Sequence, residues 1–85
     1  MNQPCIALYH RLADPESAAL RARIVALGLK DRVDFQNVDA EGAEAFAALG
    51  GDRVPALWHG GRLHVGAEAI QAVIGAIIRA EEKRR

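Results

Sequence analysis

The residues best suited to chemistry lie in two short segments, Asp14-Pro15-Glu16-Ser17 and Arg53-Val54-Pro55. Asp14 stands where a helix would begin, and its carboxylate can accept the free backbone N–H groups of the first helical turn. The same N–H groups and the helix dipole favour any anion placed there. Asp14 therefore has two interpretations, a plain N-cap worth about 1 kcal/mol and the mark of an anion-binding helix end, and the first is the better supported.

Arg11 and Arg53 place positive charge next to these two segments. A guanidinium group can hold a carboxylate through two parallel hydrogen bonds, so either residue could bind an anionic ligand. An ordinary solvated surface position explains each arginine equally well. Both interpretations stay open at this stage.

The other residues that could support metal or nucleophilic chemistry are Cys5, His10, His59 and His64. Their spacing matches no closed zinc motif, and an antiparallel third strand would put His59 at the sheet end opposite His10. Cys5 opens an apolar strand, where burial raises the pKa of a thiol and makes it inert. We therefore expect neither a metal site nor a nucleophilic cysteine.

Length and charge limit the classes of function. The chain has 85 residues, with 11 basic and 11 acidic side chains and one cysteine, which fits one domain over residues 1–85 without an internal disulfide. Balanced charge disfavours nucleic-acid and membrane binding, and no apolar stretch approaches the ~20 residues that span a bilayer. With no secretory signal, the expected location is the cytoplasm.

Hydrophobic periodicity supplies the elements that position these residues, in the order β-α-β-α-β-β-α. The first half predicts a central strand over residues 5–9, a helix from Asp14 to Gly28, an edge strand over residues 33–38, and a short helix that Asp39 or Glu41 opens and Gly50-Gly51 ends. The second half predicts an antiparallel hairpin around Gly60-Gly61 and a helix over about residues 67–80. The first crossover requires a parallel strand pair, so the four-stranded sheet is mixed, with helices on both faces.

This order, with an X-Pro bond opening the third strand, resembles the thioredoxin fold in the short form of glutaredoxins and glutathione-transferase N-terminal domains. Glutaredoxins carry a pattern like Tyr-x-Lys-x-x-Cys-Pro-x-Cys, and residues 9–17 read Tyr-His-Arg-Leu-Ala-Asp-Pro-Glu-Ser. Arg11 replaces the lysine, while Asp14 and Ser17 replace the two cysteines. The resemblance covers nearly the whole chain and implies a thioredoxin-like α/β fold with a cis peptide bond before Pro55.

The missing cysteines remove the chemistry most often attached to that fold. Thiol–disulfide exchange requires a thiolate that attacks sulfur, and neither Asp14 nor Ser17 can provide one. We therefore expect neither dithiol nor monothiol glutaredoxin activity, and the chain is more readily interpreted as a non-enzyme.

A second resemblance concerns glutathione transferases, whose N-terminal helix similarly reads Ser-x-x-x-Arg-x-Arg-Ile, as residues 17–24 do here. Ser17 falls near the serine that stabilises the glutathione thiolate by donating a hydrogen bond, which makes it a candidate catalytic residue. These transferases also need a helical second domain, for which this chain has no room. A partner protein would have to contribute it.

The resemblance also implies a glutathione site. Val54 matches the backbone that pairs with the cysteine of the tripeptide, and Arg11 matches the lysine that meets one carboxylate. The start of the last helix would receive the γ-glutamyl carboxylate, although Gly66-Ala67-Glu68 departs from the family patterns Gly-Gly-x-Asp and Glu-Ser. The implied ligand-binding residues are Arg11, Asp14, Ser17, Arg53, Val54, Pro55, Gly66, Ala67 and Glu68.

Three functions follow as hypotheses. The favoured one is a redox-inactive binding module that holds glutathione or an extended peptide beside Pro55 and carries no resident cofactor. The second is thiol activation by Ser17. The third is a structural role. Ile74 and Ile78 are neighbours on the last helix that the main apolar stripe does not need, so they could pair two copies of the chain or bind a protein partner.

Overall fold

Strands and helices alternate along residues 6–83, which are the residues that the computed structural model describes. Their bounds are β1 Ala7–His10, α1 Pro15–Ala26, β2 Asp34–Asn37, α2 Ala43–Ala48, β3 Ala56–His59, β4 Arg62–Val65 and α3 Ala67–Lys83, with a short 3-10 turn at Lys30–Arg32 between α1 and β2. The predicted order of strands and α-helices is confirmed. Cys5, the first residue of the predicted first strand, lies outside the described residues.

The strands form one mixed sheet in the order β2-β1-β3-β4. β1 is parallel to β2 and antiparallel to β3, and β3 and β4 form an antiparallel pair. The parallel pair exists because α1 carries the chain back across the sheet before β2 begins. β2 lies at an edge, as the alternation of polar and apolar residues in its sequence predicted.

The ends of α1 are set by local sequence signals. Asp14 has extended backbone angles, and its Oδ2 accepts the N–H of Ser17 at 2.8 Å. Pro15 occupies the first turn, where its missing N–H costs nothing. Gly28 adopts a φ of +75°, and the N–H of Leu29 returns to the carbonyl of Ile24 at 3.0 Å, so glycine ends the helix as predicted.

Each face of the sheet has its own apolar cluster. On one face Leu8 and Leu57 pack with α1 and α3, and on the other Tyr9 and Ala56 pack with Phe46 of α2. The alternation of side chains along β1 and β3 produces this division. The cluster under α1 and α3 is the larger of the two.

The start of α2 corrects one prediction, because neither Asp39 nor Glu41 opens the helix. The Asn37 side chain accepts the N–H of Asp39 at 2.9 Å, and the Asn37 carbonyl accepts the N–H of Gly42 at 2.8 Å. The Glu41 carboxylate accepts the N–H of Asn37 at 3.1 Å. The acidic residues therefore build a loop, and α2 begins only at Ala43.

The apolar stripe of α3 corrects a second prediction. Ile74 is only 3% exposed and packs in the same cluster as Ile70 and Ile77, and Ile78 packs against that cluster. Ile74 is therefore not available for pairing two chains, and Ile78 is partly buried, because the rest of the fold covers a wider stripe of α3 than its periodicity predicts. No helix within residues 6–83 combines the length and apolar character that a bilayer crossing requires.

Candidate functional site

A cavity of about 680 Å³ opens where the β1–α1 loop meets α2 and the segment before β3. Its walls contain four of the nine predicted ligand-binding residues, Arg11, Asp14, Arg53 and Val54. The rest of the lining consists of Ala13, Pro15, Val38, Ala43, Phe46, Ala47, Gly51 and Asp52.

Strand directions bring these distant segments together. β1 and β2 are parallel, so the loops after His10 and Asn37 leave the same end of the sheet. β3 is antiparallel to β1, with Tyr9 opposite Ala56, so the residues before β3 approach that same end. Both segments that carried the chemical residues in the sequence therefore meet in one place.

Asp14 and Ser17 are tied to the protein backbone. The Asp14 carboxylate caps α1 through the N–H of Ser17, and the Ser17 Oγ accepts the N–H of Arg11 at 3.3 Å. Ser17 is 0% exposed and is not part of the cavity wall. The hydroxyl thus holds the β1–α1 loop against the helix from the inside, whereas Asp14 reaches the cavity.

Arg11 is paired across the end of the sheet with Asp39. The Arg11 Nε donates to both carboxylate oxygens, at 3.2 Å to Oδ1 and 3.1 Å to Oδ2. The two side chains are 49% and 54% exposed, so the pair is solvent-screened and weak, in the range of about 0–1 kcal/mol. It joins the β1–α1 loop to the β2–α2 loop.

Val54 belongs to the cavity wall, and Pro55 follows it immediately before β3. The Val54–Pro55 peptide bond is cis, as the family resemblance implied. Val54 is half-buried in the cavity wall, and within residues 6–83 neither its backbone N–H nor its carbonyl has a hydrogen-bond partner. Pro55 is buried, and its carbonyl accepts the N–H of Gly66 at 3.0 Å.

The start of α3 is not brought into the cavity. Gly66, Ala67 and Glu68 are absent from its lining. The Gly66 N–H is already used by Pro55, and the Gly66 carbonyl accepts the N–H of Ile70 at 3.0 Å in the first turn of α3. Of these three predicted ligand-binding residues, Gly66 is linked to the site by its hydrogen bond to the Pro55 carbonyl, and none of them lines the cavity.

Phe46 lies on the apolar side of the cavity and is backed by Tyr9 in the core. Phe46 stacks on Tyr9 with ring centroids 5.1 Å apart and an interplanar angle of 26°. Tyr9 is 6% exposed, and burial, with a smaller contribution from the charge of Asp34, raises the pKa of its phenol. Gly51 lies directly against Phe46, since a Cβ built there would overlap the ring.

The charges of the cavity wall cancel. Arg11 and Arg53 contribute two positive charges, and Asp14 and Asp52 contribute two negative charges. Arg53 is exposed and pairs with none of the carboxylates in the described part of the chain. The wall therefore offers individual hydrogen-bonding groups to a ligand rather than a strong field of one sign.

His10 lies beyond this site, on the sheet face that α1 covers. It is 5% exposed, with Arg21 Nη1 at 3.1 Å from its Nδ1 and the Phe35 ring at 6.0 Å in an edge-on arrangement. Burial and the Arg21 charge lower the pKa of His10, partly offset by Glu41. Among residues 6–83 no group of three or more His, Cys, Asp or Glu side chains is placed to hold a metal ion.

Several cavity residues were missed by the sequence analysis, notably Phe46, Gly51 and Asp52, together with Asp39 at the rim. Phe46 gave no signal of a surface role, because an aromatic residue in a short helix is typical of a core position. Asp39 could have been found, since it follows the predicted edge strand and parallel strands end at the same side of a sheet.

Comparison with known proteins found no matching family model, no matching curated protein and no matching solved structure.

Proposed function

We propose that this chain is a redox-inactive, thioredoxin-like module that binds glutathione or an extended thiol-containing peptide in the cavity beside Pro55. The strand and helix order and the mixed sheet support this layout. The proposal does not include thiol–disulfide exchange, because Cys5 is the only cysteine in the sequence and Asp14 and Ser17 occupy the positions of the two cysteines in the glutaredoxin pattern.

The observation that carries the proposal is the free backbone of Val54. Within the described residues its N–H and carbonyl, set in the wall of a cavity, have no partners, and they suit the main chain of an extended peptide that pairs with them as an added strand would. Unpaired backbone groups that lose water on ligand binding also cost free energy unless the ligand replaces the hydrogen bonds. A peptide does so, and an apolar ligand does not.

The two arginines support a peptide with carboxylate ends. Arg11 and Arg53 belong to different loops of the wall, so each can meet a separate carboxylate. Their charges are offset by Asp14 and Asp52, which suits a ligand that also carries an ammonium group. Glutathione has two carboxylates and one ammonium group.

Asp14 argues for binding without thiol activation. A carboxylate next to a ligand thiol disfavours the thiolate and raises the thiol pKa. Ser17 offers no compensation, because its hydroxyl is buried and accepts the Arg11 N–H. We therefore favour the binding module over a transferase-like reaction, and we place it in the cytoplasm, where a glutathione pool is maintained.

The direct test is a titration of the ¹⁵N-labelled chain with millimolar reduced glutathione. The amide signals of Asp14, Arg53 and Val54 are monitored during the titration. We expect these signals to shift together along one saturating curve. Arg53→Ala should weaken the binding several-fold, while Arg62→Ala, which removes an exposed arginine of β4 outside the cavity wall, should not. A flat titration for the unaltered chain would remove glutathione as the ligand.

A second test addresses the thioredoxin-like layout without any ligand. In a Cys5→Ser background, the double change Asp14→Cys and Ser17→Cys creates a dithiol at the start of α1. The helix N-terminus should lower the pKa of the first thiol well below the usual value of about 8.5 and give measurable disulfide-reductase activity. An inert pair that titrates like ordinary cysteine would contradict the layout.

A further inference from the structure

We propose that Asp39 is an internal competitor for Arg11: it occupies the guanidinium while the cavity is empty and must give it up when a ligand carboxylate arrives. Asp39 would then set both the affinity and the charge preference of the site. This inference rests on the proposed function, since it concerns how the same cavity takes a carboxylate.

The geometry of the pair supports competition. Within the described residues, the Arg11 side chain donates hydrogen bonds from Nε alone, to both carboxylate oxygens of Asp39. A guanidinium presents five N–H donors, so its Nη groups are left to a ligand, but its charge is already neutralised by a carboxylate in contact. A second carboxylate beside the first meets repulsion until Asp39 moves away or takes up a cation.

The backbone at Asp39 is held by hydrogen bonds within its own loop, which do not involve Arg11. Its N–H donates to the Asn37 side chain at 2.9 Å, and Glu41 accepts the N–H of Asn37 at 3.1 Å. The loop therefore keeps its shape when Arg11 leaves. Because both partners of the ion pair are about half exposed, exchange of one carboxylate for another needs no unfolding.

The ion pair also explains how the cavity could select among anions. A ligand with a carboxylate alone must displace Asp39 and leave it unpaired. A ligand with an ammonium group near that carboxylate gives Asp39 a replacement cation. Asp39 therefore disfavours a lone carboxylate at this end of the cavity, and the glycine carboxylate of glutathione is such a group.

The experiment measures the affinity of reduced glutathione, by the amide titration described above, for the unaltered chain, Asp39→Asn and Asp52→Asn. Both changes remove one negative charge, but Asp52 lines the cavity without contacting Arg11 in the described structure. We expect Asp39→Asn to tighten binding about two- to fivefold, the range of an exposed ion pair, and Asp52→Asn to change it less.

A modified ligand identifies the carboxylate concerned. Glutathione esterified at its glycine carboxylate no longer competes with Asp39, so the gain from Asp39→Asn should disappear with this probe. If Asp39→Asn instead weakens binding of unmodified glutathione, Asp39 positions Arg11 and the inference is wrong. Equal gains for Asp39→Asn and Asp52→Asn would also overturn it, since only net charge would then matter.

A titration with acetate, a simple carboxylate, tests this inference separately from the proposed function. The Arg11 Nε–Hε signal is followed in the presence of acetate for the unaltered chain and for Asp39→Asn. We expect acetate to shift the signal at lower concentration in Asp39→Asn. If no variant binds glutathione but this difference is seen, the proposed ligand is wrong and the competition stands; if acetate acts equally on both, the competition is wrong.

Discussion

The imidazole of His10 accepts a hydrogen bond from Arg21 inside the protein. Nδ1 and Nη1 are 3.1 Å apart, and a guanidinium has only donors, so Nδ1 must carry a lone pair. This contact fixes the neutral form of His10, with its proton on Nε2. A second proton would place two positive groups in contact at a side chain that is 5% exposed.

Stability should therefore fall on mild acidification. The pKa of His10 is lowered in the folded chain, so the unfolded chain takes up a proton at higher pH than the folded chain does. The contribution of neutral His10 is complete above the unfolded pKa of about 6.5 and is lost as the pH falls from there towards the folded pKa. Urea unfolding between neutral and weakly acidic pH measures the loss.

The matched control is His64→Gln, because His64 is partly exposed and shows no such contact with an arginine in the described residues. His10→Gln should flatten the pH dependence of the unfolding free energy, whereas His64→Gln should leave it unchanged. If the two variants keep the same slope, His10 is not the group responsible.

Tyr9 should ionise above the usual pKa of a tyrosine. Burial against Phe46, with a smaller contribution from Asp34, raises the pKa from its ordinary value of 10.0. The chain has one tyrosine, so the near-ultraviolet absorbance of the phenolate reports on this residue alone. Asp34→Asn should lower the midpoint of this titration slightly, but the midpoint should stay above the ordinary pKa because burial remains. A midpoint at the ordinary value in the folded chain would contradict the burial of this ring.

Gly51→Ala should destabilise the chain and disturb the cavity. The added methyl group would overlap the Phe46 ring, which must then shift from its stack on Tyr9. Overpacking of this kind costs about 1–3 kcal/mol. Thermal unfolding measures the loss, and the altered titration of Tyr9 locates it.

Gly75→Ala is the control for that substitution. A Cβ at this position of α3 meets only the far end of Arg79, at 3.6 Å. Replacing a helical glycine by alanine should stabilise the chain by about 0.5–1 kcal/mol. The two substitutions therefore have opposite expected signs, and a loss of stability at both positions would count against the packing described for Gly51.

Asp14→Ala should remove the cap of α1. The carboxylate accepts the Ser17 N–H at 2.8 Å, and the loss of such a cap costs about 1 kcal/mol. Asp14→Ser should recover most of the stability, because a serine hydroxyl accepts the same N–H. The control in urea unfolding is Asp52→Ala, because Asp52 is an exposed acidic residue outside any helix. If Asp52→Ala lowers the unfolding free energy as much as Asp14→Ala does, the loss is due to charge and not to capping.

The sequence was most informative where the signals are local. The Asp14 cap, the Gly28 stop and the Gly60-Gly61 turn each depend on a few neighbouring residues, and all three are where they were predicted. The convergence of Arg11, Asp14, Arg53 and Val54 could also be predicted, since strand direction alone brings those segments to one end of the sheet.

The remaining features depend on contacts between residues distant in the chain. The loop before α2 is shaped by Asn37, whose side chain and backbone take the N–H groups that a helix starting at Asp39 would have used. The burial of Ser17 and the pairing of Arg11 with Asp39 arise only when loops from different strands meet. Periodicity along a single helix also could not show how wide a stripe of α3 the sheet covers, which is why Ile74 was misjudged.

The separation of the two core clusters from the charged cavity residues has a consequence for how this chain can change. Arg11, Asp39, Asp52 and Arg53 are all exposed, and none of them belongs to either core cluster. Substitutions at these four positions change the charges and hydrogen-bonding groups at this end of the sheet while leaving the packing of both clusters untouched. The surface chemistry of this small scaffold can therefore change one residue at a time, without compensating repair of its interior.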